Sequence, residues 1–231
     1  MRIVVFGANG GTGRLLTQQA LDAGHDVVAV TRSPQGFPIE HDRLTVAGAD
    51  VHDPVAVAHA VAGGQVVLST LGVPFTRKPI SVYSVGVANI AAAMARHSVR
   101  RLVVVSSSAT EPHHHEGAGF LMNRVLQPLV TATIGKTTYA DMRAMEAHLR
   151  ESDLDWTVMR PSGLFDAAEV SAYELREDRA DGIFTSRPDL AASLLAQATS
   201  TQWLRKCVAV TTSDGAPTVF QMIRREAFAG G

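Results

Sequence analysis

Three glycines at fixed spacing, Gly7, Gly10 and Gly13, stand where the apolar run Ile3–Phe6 ends and an Ala/Leu-rich segment begins. The stretch Gly7-Ala8-Asn9-Gly10-Gly11-Thr12-Gly13 therefore reads as a strand–turn–helix junction. A pyrophosphate must come within hydrogen-bonding distance of backbone N–H groups at a helix start, where any Cβ holds it off and the helix dipole favours its charge. Glycine meets that need. The motif predicts a dinucleotide site built from Gly7, Asn9, Gly10, Gly11, Thr12 and Gly13, the alternative being a tight βα turn without a ligand.

The next chemistry-bearing position selects the nucleotide. A site for NAD places Asp or Glu about 20 residues beyond the glycines to accept from the ribose 2′-OH, whereas this chain has Thr31-Arg32-Ser33. Arg32 is suited to pair with and stack beside a 2′-phosphoadenosine, with the Thr31 and Ser33 hydroxyls as further donors. NADP(H) is the predicted cofactor; a solvated Arg32 is the alternative. Ligands in open parallel sheets lie outside the carboxyl edge, so further contacts are expected after the later strands. Asp50 and Val51 are placed against the adenine, Ser69, Thr70, Leu71 and Gly72 against the nicotinamide ribose, and Ser106 beside the nicotinamide. Ordinary βα loops are the competing reading for these positions.

The elements that must position these residues follow from the alternation of short β-branched runs with longer Ala/Leu-rich segments, the pattern of βαβ units around a parallel sheet. Strands are predicted at Ile3–Phe6, Val27–Thr31, Leu44–Ala47, Val66–Thr70, Leu102–Ser106, Trp156–Met159 and Cys207–Val210. They read as continuous apolar runs because both faces of such a sheet are covered. Helices are predicted at Thr12–Ala23, Pro54–Val61, Ser81–His97, Pro188–Thr199 and Pro217–Ala227. A stretch over Phe120–Arg150 is broken at Pro128 and Gly135, leaving a helix at Thr137–Arg150. Gly24 supplies a left-handed residue after the first helix, Asp53-Pro54 reads as N-cap and first helical position, and Pro188 suits the same first position. No repeat or polar linker divides the chain. The expectation is an α/β fold, a Rossmann-type doubly wound parallel sheet in a single domain over 1–231.

Composition narrows the class. The chain has 231 residues, 46% hydrophobic and 19% charged, enough apolar surface to offset chain entropy and form a packed soluble protein. Lys+Arg 21 against Asp+Glu 22 gives a net charge of −1, without the basic surplus that nucleic acid or an anionic membrane demands. No apolar run approaches the ~18 residues needed to span a bilayer. One cysteine, Cys207, makes no internal disulfide and fits a reducing compartment, so the cytoplasm is expected. Inside an apolar strand that thiol is expected to be buried and inert.

Taken together, Val4-Val5-Phe6-Gly7-Ala8-Asn9-Gly10-Gly11-Thr12-Gly13, Val30-Thr31-Arg32, Gly48-Ala49-Asp50-Val51, Val103 to Ser107, and Met145 through Arg160-Pro161 make the chain resemble the atypical short-chain dehydrogenase/reductases of the NAD(P)H-binding, NmrA-like kind, near the flavin reductases. The block from Met145 to Pro161, a helix, a strand and an Arg-Pro turn, is the most specific part, and the likeness spans most of the chain. It implies a Rossmann fold, NADPH, and hydride transfer to a small conjugated acceptor, flavin-like or quinone-like. It also implies that Ser107 or Ser108 bonds an acceptor oxygen, a merely polar strand end being the alternative, and Phe120, Pro161, Leu164 and Phe165 are read as holding the acceptor with Ser107. The chain departs from ordinary short-chain dehydrogenases at the Tyr-x-x-x-Lys pair, present only as Tyr139-Ala140-Asp141-Met142-Arg143. Arginine stays charged and mimics the electrostatics of the lysine, so Tyr139 is the candidate proton donor alongside Ser107, with helix packing as its alternative role. Flavin or quinone reduction asks little more than a positioned NADPH and a proton from water. An NADP(H)-binding sensor without turnover is the second reading, and an epimerase or dehydratase is weakened by the missing lysine.

Several other signals carry less. His113-His114-His115 cannot all face one ion, and a solvated loop rather than a metal site is expected there. The glycine-containing region 111–137 reads as a flap over the acceptor. Met142, Met145 and Leu149 share a helical face and read as core. No Gly-x-Ser-x-Gly elbow supports a hydrolase.

Overall fold

The structure, a computed structural model, describes residues 1–76, 78–111 and 135–217. In chain order its elements are β1 (Arg2–Phe6), α1 (Gly11–Asp22), β2 (Asp26–Thr31), β3 (Leu44–Gly48), α2 (Pro54–Val61), β4 (Val66–Ser69), α3 (Ser84–Arg96), β5 (Arg101–Val105), α4 (Lys136–Glu151), β6 (Asp155–Pro161), β7 (Gly163–Phe165), β8 (Tyr173–Glu177), β9 (Phe184–Ser186), α5 (Arg187–Ala196) and β10 (Lys206–Thr212). A short 3₁₀ turn, Ser108–Thr110, follows β5.

Eight strands form one sheet in the order β3-β2-β1-β4-β5-β6-β10-β8. Every pairing in it is parallel except that of β8 with β10. Successive side chains of a strand face opposite ways, and β1 shows the consequence. Val4 and Phe6 enter the core beneath α2, α3 and α4, whereas Ile3 and Val5 enter the core beneath α1 and α5. Both faces are apolar, so the strands do not alternate polar with apolar, and the expected doubly wound Rossmann sheet results. Met142, Met145 and Leu149 lie in the first of these cores.

Local ends follow the predicted chemistry with one shift. Gly24 has φ +84° after α1, and the Asp53 carboxylate accepts from the N–H groups of Val55 and Ala56 at 2.9 and 3.1 Å ahead of Pro54. In α5 the cap is Ser186, so Pro188 occupies the second helical position rather than the first. Three strands go beyond the sequence reading. β7 and β9 have three residues each and pair in parallel in a small second sheet, too short for a period to show. In β8 the charges Glu174, Arg176 and Glu177 resemble a loop, yet they suit a sheet edge. The predicted helix at Pro217–Ala227, Pro217 itself apart, and the segment 112–134, with His113, His114 and His115 and nearly all of the flap, lie outside the described residues.

Candidate functional site

The carboxyl ends of the parallel strands share one edge of the sheet, and the first loop there is the glycine turn. Gly7 has φ +74°, and a Cβ on it would stand 2.7 Å from the Thr70 carbonyl oxygen. A Cβ on Gly13 would stand 2.2 Å from the Gly7 carbonyl oxygen and 2.8 Å from Cα of Ala8. These two glycines are therefore demanded by the fold itself, as turn and as close helix–strand packing. Gly10 and Gly11 are not. A Cβ on Gly10 would come no closer than 3.3 Å to backbone, and both residues are exposed. α1 begins there without a side-chain cap and without an acid in its first turn, although α2 and α5 are both capped. The first intrahelical bond is from the Arg14 N–H to the Gly10 carbonyl at 2.9 Å, so the Gly11, Thr12 and Gly13 N–H groups have no intrahelical partner at the positive end of the dipole. Asn9 is engaged locally: its Oδ1 and its carbonyl both accept from Arg14 Nε at 3.0 Å.

Beyond β2, Arg32 and Ser33 are exposed. Among the described residues the Arg32 guanidinium has no hydrogen bond or ion pair, and its field reaches Asp50. Thr31 is buried, and its hydroxyl accepts from the Ser33 N–H at 3.3 Å. Asp50 accepts from the backbone N–H and the ring Nδ1 of His52, both at 2.9 Å, and these bonds hold its carboxyl below the usual range. Val51 packs its side chain against Gly86, and its carbonyl accepts from Asn89 Nδ2 at 2.8 Å. At the end of β4, Ser69 is buried in the sheet. The Thr70 hydroxyl donates to the carbonyls of Phe6 and Gly7 at 3.0 and 3.2 Å, fastening the β4 loop to the glycine turn. Leu71 packs on the core, and Gly72 is exposed beside it.

The β5 end holds a charged cluster that the sequence reading did not single out. Arg160 and Glu146 are 1% and 2% exposed. Arg160 donates from Nε to Oε1 of Glu146 at 3.1 Å, and from one terminal nitrogen to Oε2 of Glu146 at 2.5 Å and to Glu111 at 2.9 Å. Burial opposes the charge on Arg160, but these carboxylates outweigh it and raise its affinity for the proton. Ser106 belongs to the same cluster, donating to Glu146 Oε1 at 2.7 Å. Its hydroxyl thus faces the protein's interior. Ser107 instead caps the 3₁₀ turn, its Oγ accepting from the Ala109 N–H at 3.2 Å, and Ser108 is half-buried next to it. Tyr139 is buried, its ring edge-on to Phe75 at 5.8 Å. Arg143, one turn on, donates to the Thr110 carbonyl at 3.3 Å. Asp141, between them, reaches α3 and accepts from the Tyr83 N–H at 2.9 Å and from the Ser84 hydroxyl, capping that helix from outside. Cys207 is buried, and burial pushes its thiol up to about 11.

Of the expected acceptor residues, Pro161 is buried at the end of β6, Phe165 packs edge-on against Phe184 with ring centroids 6.3 Å apart, and Leu164 is exposed on β7. Phe120 lies outside the described residues. Two residues that no spacing flagged close this side. A Cβ on Gly11 would stand 3.3 Å from Cδ and 3.4 Å from Nε of Arg187, and Arg187 Nε donates to Asp166 at 2.9 Å. Below them Asp189 is fully buried and accepts from the Ser171 N–H, the Ser171 hydroxyl and the Thr212 hydroxyl at 2.6, 2.9 and 2.6 Å. Burial works against its charge, yet these donors keep its carboxyl below the usual range. The run Ser186-Arg187-Pro188-Asp189 announces a helix start by its capping residues; that Arg187 meets Gly11, far away in sequence, is decided by the packing of α5 on α1.

The model of the NAD(P)H-binding family matches residues 7–201. Over 95% of the chain and 92% of the relative, the sequence is 26% identical to UPF0659 protein C216.03 of Schizosaccharomyces pombe. A stretch of 108 residues, 46% of the chain, is 38% identical to Rv2047c of Mycobacterium tuberculosis but spans only 12% of that protein. The crystal structure of a short-chain dehydrogenase/reductase from Veillonella parvula in complex with NADP superposes with a TM-score of 0.75 at 22% identity, over 92% of this chain and 95% of that one.

Proposed function

Because this chain belongs to the NAD(P)H-binding family, we propose that it is a reductase that takes NADPH and passes a hydride to a small conjugated acceptor, flavin-like or quinone-like. The start of α1 carries this reading: three N–H groups without an intrahelical partner, two glycines that the fold does not require, and, on the neighbouring strand end, an exposed Arg32 with no hydrogen bond or ion pair among the described residues. NADPH, when bound, supplies the hydride. The protein's own residues do the rest. The glycine turn holds the diphosphate and Arg32 the 2′-phosphate. Ser107, whose Oγ already accepts from Ala109, keeps its own hydrogen to offer an acceptor oxygen. A dehydrogenase-like role for Tyr139 fits less well, since its ring is buried against Phe75 and Arg143 is engaged with Thr110. Among the described residues no helix is long and apolar enough to cross a membrane.

The deciding assay follows the absorbance of reduced nicotinamide while a panel of flavins and quinones is offered. Oxidation above the rate without protein supports the reductase. Tight NADPH binding without oxidation across the panel replaces it with a nucleotide sensor. Within that assay, Tyr139→Phe is expected to leave turnover within a few-fold of wild type. A general acid contributes ~10²–10⁴-fold, so a loss of that size at unchanged NADPH affinity would restore carbonyl chemistry.

Cofactor choice is tested at Arg32. Wild type is expected to prefer NADPH to NADH by roughly ten- to a hundredfold, the worth of charge-assisted bonds to the 2′-phosphate. Arg32→Asp should narrow or reverse that preference, because the carboxylate repels the phosphate and accepts from a free 2′-OH. Equal affinities in wild type, read by calorimetry, would make Arg32 an ordinary solvated residue.

A further inference from the structure

We infer that Arg187 is a side-chain ligand of the cofactor's diphosphate, brought to the glycine turn by the carboxyl-terminal half of the chain and oriented by Asp166. The inference rests on the cofactor reading above and adds a residue that neither the glycine motif nor its spacing contains.

Four observations lead to it. Arg187 is the first residue of α5, and its stem lies so close to Gly11 that any side chain there would meet Cδ and Nε at 3.3 and 3.4 Å. Gly11 thus gives room to the arginine as well as to a phosphate. The helix pair is fixed: α5 packs along α1, and Gln19 of α1 donates to the Pro188 carbonyl at 3.2 Å, so Arg187 is held over the end of α1 rather than merely near it. Its Nε donates to Asp166, which leaves both terminal nitrogens without a partner among the described residues. Finally, charge at this spot stays positive. The end of α1 contributes about half a positive charge with no acid in its first turn, and the guanidinium adds a whole one whose partner among the described residues, Asp166, is 84% exposed and screened by water. A diphosphate carries two negative charges, and the helix end neutralises only a fraction of them. The guanidinium, planar and bonding through two nitrogens, suits the remainder.

Arg32 and Arg187 then divide the nucleotide between them. Arg32, past β2, reads the 2′-phosphate and discriminates. Arg187 reads the diphosphate, which NADPH, NADH and ADP-ribose share, and does not discriminate. Loss of Arg187 should therefore weaken all three ligands by a common factor.

The experiment titrates NADPH, NADH and ADP-ribose into wild type, Arg187→Gln and Arg187→Lys by calorimetry, with melting curves to check folding. Arg187→Gln is expected to weaken each ligand by roughly ten- to a hundredfold and to leave the NADPH/NADH ratio as in wild type. Arg187→Lys should recover part of the loss, since it keeps the charge without the fork, and it carries the test if the glutamine variant does not fold. Wild-type affinity in folded Arg187→Gln, or in folded Arg187→Lys together with an unfolded glutamine variant, overturns the inference alone. A changed NADPH/NADH ratio overturns it as well, by moving Arg187 to the 2′-phosphate. Absence of all nucleotide binding in wild type overturns the cofactor reading, and this inference with it.

Discussion

Glu146→Ala is expected to destabilise the protein by about 3–5 kcal/mol, the cost of leaving a buried charge without its partner. Arg160 is 1% exposed and donates two bonds to Glu146 and one to Glu111. Removing Glu146 leaves the guanidinium with the half-buried Glu111 alone, and Ser106 loses the acceptor of its hydroxyl. For a chain of this size ~1 kcal/mol corresponds to about 2–4 °C in Tm, so the melting temperature should fall by roughly 6–20 °C. Replacing both members, Glu146→Met with Arg160→Met, removes the charge together with its partner and should recover much of the loss. Urea unfolding of the two variants measures this. A cost below about 1 kcal/mol for the single variant would mean that water reaches Arg160 once Glu146 is gone, and that the cluster does not hold the ends of β5 and β6 together.

The second large effect separates the glycines of the first turn. Gly10→Val is expected to fold and to bind NADPH at least about a hundredfold more weakly, the equivalent of losing two charge-assisted bonds. Gly10 has φ −75° and ψ 165°, extended backbone that valine adopts readily, and its Cβ would meet only the Gly7 carbonyl, at 3.3 Å. The added methyl groups would instead occupy the space before the open N–H groups. Gly13→Ala should do the opposite and fail in folding, because its Cβ would lie 2.2 Å from the Gly7 oxygen with no side chain able to move aside. Calorimetry on Gly10→Val and melting curves on both give the contrast. Unchanged NADPH affinity in folded Gly10→Val would remove this turn from the site.

The positions of seven strands and the place of the glycine turn were legible in the sequence, because each rests on local chemistry. A buried parallel strand must be apolar on both faces, as Val66–Ser69 and Leu102–Val105 are, and a helix that starts against a strand needs glycine where Gly7 and Gly13 stand. The caps at Asp53 and Gly24 are local in the same sense: their partners lie within a few residues. What tertiary structure alone decided depends on contacts between distant segments. Ser106 sits at a strand end, where the sequence suggests a ligand contact, yet its hydroxyl bonds Glu146, forty residues away. Arg160 appears in the sequence as part of an Arg-Pro turn, and only the packing of α4 beneath β6 shows it to be the centre of a buried ion cluster. Arg187 reads as an ordinary residue opening a helix until α5 lies on α1 and brings it to Gly11. Periodicity records which face of an element is buried, but it does not record which polar side chain on a second element will lie opposite. A long side chain at the carboxyl edge meets many such neighbours, and the fold decides which.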